Sequence, residues 1–375
     1  MFCSLLLMTG VGVFYLFPLF VLDRGGDKTD IGFLMGIMGF SAVLTRPWIS
    51  GLVDQIGRKR SVICGGLVLT LVSIAHLFCN GPIGEIYPLL VCLRFLFGAG
   101  MGLSIIATLT LAADLASGPR LNEGLGLFGL MPMVGIAIGP IAGEIIVHRY
   151  GLDGMFIMAA LFFFSGCIMI TQVKERFTPS SVATRGNFIR ALRFPVVWRM
   201  SCICLYFGIA FAAHGGFVAP FAKSIHLSIS WYFGFYSAAA VLSRLFIGRL
   251  SSRFGEMRII PVALVLSGIG FITLAQVTSS LGLIGAGLIA GLGHGLLFPC
   301  LIALTIRPIA IADRGKVTGV ITGGVDLGLF IGSLVMGQLG DYFGFQSIFA
   351  AAALTMFVGL LSFWKMKTKI LLYMN

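Results

Sequence analysis

The residues able to do chemistry stand where charge is expensive. Asp326 sits in the apolar run over 316–339, between "GGV" and "LGLFIG". His214 and His294 fall midway along the runs over 199–222 and 281–306. Arg94 lies two turns inside 87–113, Glu144 near the end of 122–147, and Tyr15 within 2–22. An ionisable side chain in such a run costs roughly 2.5–3.5 kcal/mol on insertion scales, so each is a functional candidate by default. Asp326 has no base beside it in sequence. An apolar setting lets such a carboxyl take up and release a proton, and it is the first candidate for a proton carrier; an acid bonded to a neighbouring helix is the plainer reading. The two imidazoles exchange protons near neutral pH. They suit a proton or substrate ligand, or a simple hydrogen bond across helices. Arg94 suits an anchor for an anionic partner, a tuner of a nearby acid, or a cap on carbonyls. Glu144 is either a candidate of the same kind or solvated at its helix end. His76 reads as structural. Arg46 and Arg244 lie within two turns of a loop, and snorkelling explains them.

The elements that must position these groups follow from composition. The chain has 375 residues, 58% of them hydrophobic and 11% charged, with a mean hydropathy of +1.02. Soluble domains carry about 25% charged residues, so this supply cannot cover a water-facing surface. A soluble enzyme, a disordered chain and a secreted disulfide scaffold are excluded. A bilayer core of about 30 Å needs about 20 apolar residues per helix. Twelve runs qualify: 2–22, 30–50, 61–80, 87–113, 122–147, 154–172, 199–222, 230–250, 259–278, 281–306, 316–339 and 345–364. The 51 glycines suit helices that pack closely in lipid. The eight cysteines form no CxxC pair, which argues against a zinc site or a disulfide framework. The first run starts almost at Met1 with no charged segment before it and no small-residue cleavage site, unlike a signal peptide. Either that helix is short or the stated start lies inside a longer one.

Net charge is +12, and the placement of the bases explains it. With the first span running outward, nineteen of the 26 Lys and Arg fall on the cytosolic side and four outside, leaving Arg46, Arg94 and Arg244 in spans. This is the positive-inside bias of a multi-pass protein of the cytoplasmic membrane with both termini cytosolic. Nucleic acid is not needed to account for the surplus.

The chain also repeats itself. "RPWISGLVDQIGRKR" (46–60) echoes "RLFIGRLSSRFGEMR" (244–258) at an offset of 198. "GAGMGLSIIATLTL" (98–111) echoes "GLGHGLLFPCLIAL" (291–304), and "GIAIGPIAGEIIVHRYG" (135–151) echoes "GLFIGSLVMGQLGDYFG" (328–344), both at 193. Pro18 matches Pro220. The expected fold is an all-α membrane protein of twelve transmembrane helices in two pseudo-symmetric six-helix bundles. The bundles take residues 1–172 and 199–375. A cytosolic linker, 173–198, joins them, and its part over 187–194 suits a helix lying on the membrane surface.

Three stretches carry a resemblance. In "SGLVDQIGRKR" (50–60), Asp54, Gly57, Arg58 and Lys59 match the signature Gly-x-Leu-Ala-Asp-Arg-x-Gly-Arg-Arg, with Ser50 and Gln55 departing from it. The second copy keeps Gly248, Arg253 and Gly255 but has Ser252 at the acid's place. "RFLFGAGMG" (94–102) fits Arg-x-x-x-Gly-x-Gly. "GIAIGPIAGE" (135–144) fits Gly-Pro-x-x-Gly-Gly through Gly135, Gly139, Pro140 and Gly143, with Glu144 in place of the last glycine. Over essentially its whole length the sequence resembles the major facilitator superfamily, and its drug:proton antiporter-type members in particular. The resemblance implies that the loop after the second span latches the cytosolic side. Asp54 would face the positive end of the eleventh helix, and Arg58 would pair with Asp114. With Ser252, the second copy is expected to latch more weakly. It also implies that the first, fourth, seventh and tenth helices line a central cavity, with His214, His294 and Tyr15 among its side chains. The Gly-Pro signature tracks with export in that family, while bare close packing is the plainer reading.

The expected activity is secondary active transport by alternating access, with no cofactor and no metal. Nothing resembles a phosphate-cradling loop, so an ion gradient must supply the work. The reading is a monomeric exporter that exchanges a small molecule for protons, and not an enzyme. Proton-coupled uptake of a small organic solute is the runner-up. A non-transporting sensor or scaffold would need a soluble domain, and a membrane enzyme would need clustered acids and histidines; neither pattern is present in the sequence.

Overall fold

The computed structural model describes residues 1–115, 121–175, 194–309 and 311–374. Among the described residues twelve helices follow one another: α1 (Phe2–Asp23), α2 (Lys28–Ile56), α3 (Arg58–His76), α4 (Ile83–Leu115), α5 (121–150), α6 (152–171), α7 (Pro195–Ser224), α8 (Ser230–Phe254), α9 (Glu256–Ala275), α10 (Ser280–Ile306), α11 (Ile311–Phe343) and α12 (Phe345–Met374). No strand occurs among the described residues. Arg120 and nearly all of the linker's expected surface helix lie outside them.

Among the described residues, ten helices are long and apolar enough to cross a membrane. One of these, Phe128–Thr171, is two crossings: Gly151 breaks it with φ 72°, and α5 ends where α6 begins. The remaining helix, α8, is long enough but less apolar, because Arg244, Arg249 and Arg253 fall in its second half. In α1, Pro18 lacks the N–H that would bond the Phe14 carbonyl one turn back, and the helix tightens to a 3-10 turn at Phe14–Leu16.

The repeat read in the sequence returns as a repeat of packing. α1 packs on α5 and α6 and α3 on α4 and α6, while α7 packs on α11 and α12 and α9 on α10 and α12. Small residues fix the closest crossings. A Cβ on Gly139 of α5 would sit 2.6 Å from Gly12 Cα of α1; a Cβ on Gly328 of α11 would sit 2.8 Å from Gly208 Cα of α7. Dispersion at short range replaces the hydrophobic drive that lipid cannot provide. The corner glycines repeat as well. Gly57 and Gly255 (φ 92° and 76°) precede α3 and α9, and Gly151 and Gly344 (φ 72° and 82°) precede α6 and α12. A side chain with a Cβ is strained in that left-handed region.

The chain separates into two compact units: Met1–Asp27 with Ile37–Arg185, and Lys28–Gly36 with Gly186–Asn375. The first turns of α2 belong to the second unit. There Asp341 of α11 accepts hydrogen bonds from the Lys28 and Thr29 backbone N–H groups at 3.1 and 2.7 Å and from Thr29 Oγ1 at 2.6 Å. Gly337 and Gly32 face each other in the same contact.

Candidate functional site

In the first unit, Arg94 is fully buried. Its guanidinium lies 4.4 Å from the Phe17 ring centroid, 5.2 Å from Phe97 and 5.8 Å from Phe14, and Nη2 meets Met38 Sδ at 3.9 Å. Ring faces carry negative charge, and each desolvated contact returns on the order of 1–2 kcal/mol against the cost of burying the cation. His76 shares this box. It stacks on Phe156 at 4.8 Å, meets Phe14 and Phe17 edge-on, and hydrogen-bonds the Val72 carbonyl through Nδ1 at 2.7 Å. Tyr15 is buried in the 3-10 turn beside these phenylalanines in sequence, and Glu144 is half-buried on α5.

In the second unit, the structure brings His214 and His294 together, on α7 and α10, through two tyrosines of α8. His214 Nδ1 lies 3.2 Å from the Tyr232 hydroxyl, and His294 Nδ1 is hydrogen-bonded to the Tyr236 hydroxyl. Tyr236 also packs its ring against His214, with centroids 4.2 Å apart. Phe211 stacks on His214 at 4.8 Å and meets His294 edge-on at 5.1 Å. His214, Tyr232 and Tyr236 are buried, and His294 is half-buried. Arg244, farther along α8, is half-buried with its Nε out of contact with solvent. The tyrosines were missed in the sequence, although their i, i+4 spacing places both hydroxyls on one face of α8.

Asp326 is half-buried on α11. It shares a helix face with Thr322 and Phe330, next to the face on which Gly324 and Gly328 approach Ser201 and Leu205 of α7.

The signature loop forms a charged corner. Arg58 Nε lies 3.0 Å from Asp114 and Nη2 3.7 Å from Asp54. Glu175, absent from the sequence reading, accepts from the Arg58 and Lys59 N–H groups at 2.7 and 3.1 Å, a carboxylate at the positive end of α3. Lys59 Nζ holds the Thr171 and Val173 carbonyls. The second copy, expected to latch more weakly, has a charged pair of its own at residues other than Ser252. Glu256 opens α9, accepts from Ser251 Oγ at 2.7 Å, and pairs with Arg307 at 2.6 Å. Gly135 and Gly139 press on Leu5, Thr9 and Gly12, and Gly143 on Leu16, so the Gly-Pro signature serves helix packing here.

Among the described residues, no three His, Cys, Asp or Glu converge as metal ligands. The family model described as Major Facilitator Superfamily matches residues 1–230 and 216–370. The chain belongs to the Major Facilitator Superfamily. This superfamily member is 22% identical over 381 residues to the MFS-type transporter MJ1560 of Methanocaldococcus jannaschii, covering 96% of this chain and 95% of that one. It is 27% identical over 362 residues to the multi-drug resistance efflux pump PmrA of Streptococcus pneumoniae, covering 90% and 87%. Its fold matches a point mutant of the nucleoside transporter NupG with a TM-score of 0.82 at 12% identity, over 97% of this chain and 98% of that chain. It is thus a multi-pass, all-helical membrane protein of a transporter family.

Proposed function

We propose that the protein exports a small amphipathic molecule across the cytoplasmic membrane in exchange for protons, by alternating access of the halves 1–172 and 199–375, with both termini cytosolic. The observation that carries this reading is the cluster of two buried or half-buried imidazoles, each hydrogen-bonded to a phenol, inside a helix bundle. Imidazole is the side chain best suited to hand on protons, and polar groups are costly to keep in lipid. The likeness to PmrA supports the outward direction. In this reading His214, His294 and Asp326 carry protons. Arg94, Tyr15 and Glu144 shape the path in the other half, and Asp54, Gly57, Arg58, Lys59 and Asp114 hold the cytosolic corner. A monomer suffices, since each chain carries both halves.

The opposite sign, proton-coupled uptake of a small organic solute, is the second reading. The fold it shares with NupG serves a nucleoside transporter as well. Accumulation of ethidium and a panel of amphipathic drugs in cells overproducing the chain separates the two. Export predicts lower accumulation with the wild type than with Asp54→Asn or Arg94→Ala, and uptake predicts higher.

A further inference from the structure

We propose that Tyr236 is a positioning residue: its hydroxyl sets which nitrogen of His294 carries the proton, and its ring ties that imidazole to His214. This rests on the proton-coupling reading above.

Side chains from two helices surround His294. From α8 it faces the Tyr236 hydroxyl and the charge of Arg244; from α7 it faces His214, Phe207 and Phe211. On the α9 side, the neighbouring Gly293 abuts Ser267, which carries no titratable group. A neutral imidazole has one donor and one acceptor nitrogen, and its tautomer follows from the hydrogen bond that the other nitrogen makes. When the Tyr236 hydroxyl donates to Nδ1, the imidazole proton sits on Nε2. When the imidazole takes a second proton, Nδ1 becomes a donor and the same hydroxyl must turn and accept. The phenol therefore has two settings: it donates to a bare Nδ1, or it accepts from an Nδ1 that carries a proton.

Tyr236 touches both imidazoles and hydrogen-bonds one of them, so it is placed to pass that change on. Its ring centroid is 4.2 Å from that of His214, which is itself hydrogen-bonded to Tyr232 one turn earlier on α8. Tyr232 and Tyr236, one turn apart on α8, give the two imidazoles, which come from separate helices, a common support.

The test deletes the hydroxyl and keeps the ring. The purified full chain, labelled with 15N-histidine, is titrated from pH 5 to 9 by NMR, and the signal lost in His294→Gln identifies His294. Tyr236→Phe is expected to change its tautomer signature, because Nδ1 loses the hydroxyl to which it is bonded. Tyr232→Phe is expected to leave that signal in place and to move the one lost in His214→Gln. A His294 signal unchanged in Tyr236→Phe overturns the proposal, whatever transport does. If the signal moves, but proteoliposomes of His294→Gln still exchange protons for ethidium as the wild type does, the proton-coupling reading fails and the positioning role stands.

Discussion

Arg307 Nη2 lies 2.6 Å from Glu256 Oε1, and these residues occupy the repeat positions of Asp114 and Arg58 with the charges exchanged. The offsets that relate the halves, 198 for the corner and 193 for α4 and α10, carry Arg58 onto Glu256 and Asp114 onto Arg307. The duplication kept the ion pair and reversed its sense. In both halves a carboxylate also sits at the start of the helix after the corner, Glu175 at α3 and Glu256 at α9.

The second pair is the more sensitive of the two, because Glu256 is 5% exposed while Arg307 is 58% exposed. Removing the partner of a nearly buried carboxylate leaves a desolvated charge; with Arg307 itself wet, the loss should be about 1–3 kcal/mol. Arg307→Ala is expected to lower the unfolding temperature of the detergent-solubilised protein. The exchanged pair Glu256→Arg with Arg307→Glu should recover part of it. Recovery stays incomplete because an arginine at the start of α9 opposes the helix dipole.

The glycine crossings predict matched defects in the two halves. A Cβ at Gly139 or at Gly332 would come within 2.6 Å of backbone on α1 or α7 respectively. Gly139→Val and Gly332→Val should each push a helix pair apart and cost about 1–3 kcal/mol. Gly285→Val, where nothing stands within 4 Å, should leave thermal unfolding within about 0.5 kcal/mol of wild type. Thermal scans of the three variants side by side check this.

Asp341 caps the first turn of α2. Asp341→Ala removes acceptors from two backbone N–H groups, a loss of about 1 kcal/mol for a helix cap. Hydrogen exchange should speed up at Lys28 and Thr29. It should stay unchanged at Met38 and beyond, in the part of α2 that belongs to the first unit.

Arg94 should not tolerate lysine. A planar guanidinium lies along three rings at once, whereas an ammonium is a compact, strongly hydrated charge. Arg94→Lys is expected to reduce the yield of folded protein and dye extrusion together. A variant that matched wild type in both would remove the aromatic box from the account.

Much of this architecture was legible because lipid imposes a coarse rule: twenty apolar residues per crossing, with bases held inside. The constant offsets exposed the duplication before any contact was known. The Arg58–Asp114 pairing could be anticipated from a motif and a helix end. What escaped is everything that needs two helices placed side by side. Tyr232 and Tyr236 look like ordinary aromatics of an apolar run until His214 and His294 are set against them. Glu256 and Arg307 have no shared motif, and Ser252 drew attention to the wrong position of the second copy.

The most direct measurement is the sign of proton movement in proteoliposomes of the full chain, with no starting gradient, when ethidium or another extruded drug is added outside. Antiport predicts protons leaving the lumen as the compound enters, so the lumen turns alkaline, and predicts that the signal vanishes in the double variant His214→Gln, His294→Gln. A lumen that turns acid as the compound enters, or a response of wild-type size in the double variant, would contradict the account.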